Sequence, residues 1–170
     1  KGVPVALNSN GTVSIVSSGN IGSLVGITAK AIADTATGDV NVSRFGSRFT
    51  GAGGFINISQ NAKNLIFCGA FKSGGLQVNV LDGYLEIKKE GKIQKFVNTV
   101  EQITFSGDRA AKKGQSVLYI TERCVFELSL DGVKLIEVAP GVDIERDILS
   151  HMGFEPLIEN PQKMDSNIFI

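Results

Sequence analysis

The sequence predicts an α/β fold with a mostly parallel central sheet, flanking helices and an antiparallel meander. Three observations point there. Residues 64–71, NLIFCGAF, form an unbroken apolar run after a helix-compatible stretch, as in a strand buried on both faces. Residues 76–97 and 116–140 alternate apolar and polar side chains around Asp-Gly pairs, a strong short-range hairpin signal. Residues 143–153 place Ile144, Ile148, Leu149 and Met152 on one helical stripe.

Taken in order, residues 1–38 are rich in Gly, Ser, Thr and Asn and contain no glutamate, which fits short β runs turning at Asn10-Gly11 and Gly19-Asn20. An Asn or Ser cap opens a helix in NISQNAK, and the buried strand of residues 64–71 follows. Turns at Asp82-Gly83 and Glu90-Gly91 divide residues 76–97 into three meander strands. VEQITFSG supplies another strand, and DRAAKKG a short helix closed by Gly114. Residues 116–140 give a strand and then a hairpin turning at Asp131-Gly132. Asp143 caps the last helix, with Arg146 at its third position, and Gly153 stops it. Pro156 and Pro161 forbid a continuous helix in the tail, which reads as an extended surface arm.

At 170 residues the chain is one ordinary domain or slightly more, large enough to hold its own core. Basic and acidic residues number 17 each and tryptophan is absent, so neither a global field nor a stacking platform recruits nucleic acid or an anionic membrane. Cys68 and Cys124 stand alone in apolar runs beside a single histidine, which argues against zinc, any other metal site or a disulfide framework and for core thiols in a reducing compartment. No apolar stretch approaches the roughly 20 residues of a membrane helix. A cytoplasmic protein is expected. The first residue is lysine rather than methionine, which fits an amino terminus trimmed together with any targeting signal.

One stretch, SRFTGAGGFINIS, raises a functional question. Gly51, Gly53 and Gly54 remove the side chains that would keep a ligand from the backbone, while Arg44 and Arg48 set fixed positive charge beside them. The spacing admits an anion cradle or a tight turn. Lys72, Ser73, Gly74 and Gly75 form a second glycine turn. Glu122 and Arg123 at a strand end read as an ion pair or interface contact rather than an acid/base couple. His151 reads as a helix C-terminal residue facing the last carbonyls.

Four ordered strings, GDVNVSRFGSRFTGAGGFINISQNAK, LIFCGAFKSGGL, ITFSG and YITERCVFELSLDGVKLIEVAPGVDIERDIL, resemble the carboxy-terminal part of the family I coenzyme A transferases, in the acetate/propionate, short-chain acyl branch. The resemblance implies a CoA-transferase (NagB/RpiA-like) half-domain over residues 39–170. It also implies acyl-CoA and a short-chain carboxylate as substrates, with no covalently bound cofactor. In such enzymes a glutamate carboxylate attacks the thioester, and backbone N–H donors stabilise the oxyanion. By motif, the glycine loop is Gly51, Ala52, Gly53 and Gly54. Arg44 and Arg48 would approach CoA phosphates, and Gly74 and Gly75 would line the CoA channel.

The family's glutamate lies upstream of the NVSRFG string, yet this chain has no glutamate before Glu86. The nearest echo is IVSSGNIGS, with Ser17 in the nucleophile's place, and the interval is too short. Residues 1–38 are either a remnant of the catalytic segment or unrelated sequence with the cadence of small β-rich repeats. Ser17 lacks a base, since the sole histidine is His151. No catalytic residue is therefore assigned. Two functions stay open: part of a CoA-transferase pocket completed by a complementary chain, or a non-catalytic assembly module that forms a homo-oligomer.

Overall fold

The computed structural model describes residues 37–170 and, before them, the backbone of strands at 6–7, 13–14, 24–28 and 32–34. Ala6–Leu7 (β1) pairs antiparallel with Val13–Ser14 (β2). Leu24–Thr28 (β3) and Ile32–Asp34 (β4) lie upstream of residue 38, yet both hydrogen-bond to strands beyond it. Ser17 and the turns at Asn10-Gly11 and Gly19-Asn20 lie outside the described residues.

Asp39–Asn41 (β5) runs antiparallel to β4, and Arg44–Phe45 (β6) folds back on Arg48–Phe49 (β7). Helix α1, Phe55–Asn61, starts two residues before the expected segment. Gly54 caps it without any side-chain hydrogen bond, so the expected Asn or Ser cap is not formed. Asn64–Cys68 (β8) follows at once, with Leu65 and Phe67 buried.

The expected three-stranded meander is a two-stranded hairpin. Gln77–Leu81 (β10) pairs with Tyr84–Lys89 (β11) around Asp82 and Gly83, both at positive φ. The chain does not turn back at Glu90-Gly91. Ile93–Gln94 (β12) pairs instead with Lys72–Ser73 (β9), and Phe96–Val97 (β13) runs parallel to β4. VEQITFSG is likewise no strand: it contributes one bridge, Phe105 to Val40.

Ser106 caps α2 (Gly107–Lys112) by accepting from the Arg109 N–H, and Gly114 leaves the helix at φ 69°. Ser116–Ile120 (β14), Cys124–Ser129 (β15) and Gly132–Val138 (β16) form the expected strand and hairpin. Asp143 caps α3 (Ile144–Asp147) through the Arg146 N–H, and a 3-10 turn, Leu149–His151, continues it. The tail is extended and largely exposed as expected, but it is not a free arm. Leu157–Lys163 (β17) joins β16 as a parallel edge strand, and Met164 and Phe169 are buried behind it. Pro161 is accepted because an edge residue needs no inward N–H.

The central sheet has the order β17-β16-β15-β14-β8-β3. Its joins β17-β16, β14-β8 and β8-β3 are parallel, and the two between β14 and β16 are antiparallel. One face carries the larger core, built on Phe67, Phe71, Phe96, Phe105, Tyr119 and Phe126. A smaller cluster of Leu85, Val125, Ala139, Met164 and Phe169 lies apart from it. No helix among the described residues is long and apolar enough to cross a membrane.

Candidate functional site

In sheets with parallel strands, ligands collect outside the carboxyl ends of those strands. Here Cys68 ends β8, Ile120 ends β14, and the two are register partners. Beyond them opens a crevice lined by Val40, Phe67, Cys68, Lys95, Phe96 and Ile120, with about 380 Å³ of empty space counting its open mouth. Its floor is core: Val40, Phe67 and Phe96 belong to the larger cluster.

The polar groups at the rim have distinct states. Burial raises the Cys68 thiol's pKa, partly opposed by Lys95, so the thiol is neutral at physiological pH. Burial also pulls Lys95 below the ordinary lysine value, against the attraction of Glu122 and Cys68. The Lys95 ammonium donates to the Ala70 carbonyl. Among the described residues, no carboxylate forms an ion pair with Lys95 and none lines the crevice.

A charged clip holds the loop after β8 in place. Arg123 is fully buried. Its Nε donates to Glu122 at 2.8 Å, and its Nη1 donates to Glu90 at 2.8 Å and to the Asp147 carbonyl at 2.7 Å. The guanidinium carbon lies 4.6 Å from the Phe71 ring centroid, and Glu122 accepts the Phe71 N–H at 2.7 Å. The TER segment is thus an ion pair within the fold. Its partner Glu90, 33 residues earlier, leaves no local signal in the sequence.

His151 does not face helix carbonyls. Its Nε2 lies 3.3 Å from Glu90 and its Nδ1 3.3 Å from the Lys72 ammonium. Burial depresses its pKa, with Lys72 and Arg123 adding to the effect and Glu90 opposing it.

The glycine loop enters α1, whose Phe55 ring packs 6.3 Å from Phe67 in the crevice floor. Gly53 has φ 53°, which favours glycine. Gly51 has no positive φ, and an added Cβ there would meet nothing within 4 Å among the described residues. Arg44 and Arg48 are exposed on the β6–β7 ladder, and Arg44 lies 4.0 Å from Glu101. Gly74 and Gly75, at φ 80° and 95°, turn the chain after β9, which pairs with β12 immediately before Lys95. Both glycine turns are therefore tied to the crevice through neighbouring residues. Sequence reasoning missed Lys95, whose only local signal was a lysine amid alternating residues. Cys124 is a buried core thiol as expected, while Cys68 is only half-buried.

No protein-family model matches the chain. It is 48% identical over 134 residues to the acetate CoA-transferase YdiF of Escherichia coli, covering 78% of this chain and 25% of that protein. It is also 48% identical over 151 residues to the caffeate CoA-transferase of Acetobacterium woodii, covering 85% and 28% respectively. The crystal structure of YdiF apoenzyme superposes with a TM-score of 0.80 at 44% identity, over 86% of this chain and 28% of the other. Glutaconate coenzyme A-transferase from Acidaminococcus fermentans shares the fold at TM-score 0.55 and 18% identity, over 84% of this chain and 52% of that one. The chain thus spans about a quarter of the length of the curated relatives it matches.

Proposed function

This chain belongs to the family I coenzyme A transferases, and from that premise we propose that it contributes the coenzyme A and acyl pocket of a short-chain acyl-CoA:carboxylate CoA-transferase without carrying the nucleophile. Residues 39–170 are the transferase domain in this reading, and the strands at 24–28 and 32–34 complete its sheets. A complementary chain supplies the carboxylate that attacks the thioester. Exposed Ile56 and Ile58 on α1 support a docking face for it.

Gly51 is the observation that carries the reading. Among the described residues, neither a positive φ nor a neighbouring atom calls for glycine there. The open space beside it admits close approach of a ligand to the backbone. The ligand would present its oxyanion to the amides of residues 51–54, with Arg44 and Arg48 towards its phosphates and Gly74 and Gly75 along its channel.

Gly51→Val is therefore expected to leave thermal melting unchanged and to weaken CoA binding, read by calorimetric titration, by about tenfold or more. Equal binding by the variant would overturn the pocket. Incubated alone with acetyl-CoA and propionate, the chain should show no turnover and no hydroxylamine-sensitive adduct. Either one would overturn the missing nucleophile.

A further inference from the structure

We propose that the outer edge of β10 is an interface between two copies of this chain, their β10 strands pairing antiparallel about a two-fold axis at Asn79. The inference stands apart from the transferase reading and uses neither the crevice nor α1.

β10 has a partner on one side only. It pairs with β11, and among the described residues no backbone group hydrogen-bonds its other edge. The two-residue turn at Asp82 and Gly83 makes Leu81 and Tyr84 a hydrogen-bonded pair. By the alternation of an antiparallel ladder, Val80 with Leu85 and Val78 with Ile87 are then non-bonded pairs, whose N–H and C=O groups face away from the hairpin. The Leu85 N–H does so, donating to the Pro140 carbonyl at 2.8 Å. On the opposite side the groups of Val78 and Val80 are left for a further strand.

Open sheet edges are ordinarily guarded by charge, proline or a bulge. The edge strand β17 has all three: Glu159 and Lys163, Pro161, and the bulge around Asn160. β10 reads Gln-Val-Asn-Val-Leu, with neither charge nor proline, and its one irregularity lies at the Gln77 end, outside residues 78–81. All five of its residues are exposed, Leu81 to 61%. An unguarded, partly apolar edge is a template for another strand.

The pattern of β10 suits a copy of itself. With Asn79 on the axis, Val78 of one copy meets Val80 of the second, and the two exchange the backbone groups that face outward. Asn79 meets Asn79 as a close, non-bonded pair, where each amide can both donate and accept. No like charges stand opposite each other. The neighbouring charges on β11, Glu86 and Lys88, are already paired at 2.6 Å, so a charged peptide would find no free counter-charge there.

The test is sedimentation equilibrium of the chain from about 1 μM to about 1 mM. Pairing of one short strand buries less than a standard interface, so the wild type should dimerise with a dissociation constant of about 10–100 μM. Asn79→Asp and Asn79→Lys each set like charges across the axis and should each weaken association about tenfold or more. An equimolar mixture of the two should recover it, because the axis then pairs opposite charges. Val80→Pro, which removes an outward N–H and no bond of the β10–β11 ladder, should be monomeric. Thermal melting reports folding of each variant, and Asn79→Lys sets its charge opposite Glu86 on β11, which favours the hairpin. If Asn79→Asp does not fold, Asn79→Lys and Val80→Pro decide. Three results would each overturn the proposal: a wild type monomeric at about 1 mM, folded variants that associate undiminished, or a mixture of the two folded Asn79 variants that stays monomeric. CoA titration scores the transferase reading separately. If CoA binds a strictly monomeric wild type, only the present inference falls. If the chain dimerises through β10 and CoA does not bind, only the transferase reading falls.

Discussion

Arg123 shows how far a single side chain can organise this molecule. It joins the end of β11 through Glu90, the loop after β8 through Glu122 and Phe71, and the end of α3 through the Asp147 carbonyl. Removing one partner of a buried pair leaves the others as uncompensated charge. Arg123→Met is therefore expected to destabilise the fold by about 3–5 kcal/mol, read by urea unfolding. A loss below about 1 kcal/mol would put the pair in the class of weak surface ion pairs. The sequence displays Glu122 and Arg123 side by side, so an ion pair is legible there. The burial is not, because it depends on Glu90 and Phe71, which come from distant segments.

Among the elements, glycine had two meanings, and only one was legible. Asp131-Gly132 turns a hairpin, with Gly132 at φ 125°. Glu90-Gly91 has similar wording and does something else. A Cβ on Gly91 would stand 2.6 Å from the Ser73 carbonyl oxygen, so the glycine lets β9 approach, while Glu90 is committed to Arg123. The strand β17 was hidden for a related reason. Its prolines and polar residues look like a loop, and it bulges around Asn160 at φ 49°. Its anchors are Met164 and Phe169, which close the smaller core over Leu85, Val125 and Ala139. Phe169→Ala should cost about 3–5 kcal/mol. Chemical denaturation tests this, and a loss near zero would return the tail to the surface arm that its prolines suggest. The glycine loop, by contrast, was legible as a candidate because its spacing does not depend on long-range partners.

For the molecule as a whole, acid is the expected weakness, in two stages. His151 faces Glu90, Lys72, Arg123 and Asp147, and its folded pKa lies below the ordinary 6.5, so folding favours the neutral ring. That contribution is complete above about pH 6.5 and is lost as pH falls through the lower folded value. Burial pushes Glu90 up, but Arg123, His151 and Lys72 together hold it below 4.5, so its contribution is lost at lower pH still. The urea midpoint should therefore decline from pH 7 to about pH 5, and decline less in His151→Gln. An unchanged slope in that variant would assign the first stage to other groups. The crevice floor has a further consequence, for how the protein can evolve. Val40, Phe67, Phe96 and Tyr119 line the crevice and also belong to the main core, so a mutation that deepens the crevice also hollows the core. Lineages seeking a larger ligand are confined at the rim to Cys68, because Ile120 packs on the smaller core and the Thr121 hydroxyl holds the turn before Cys124.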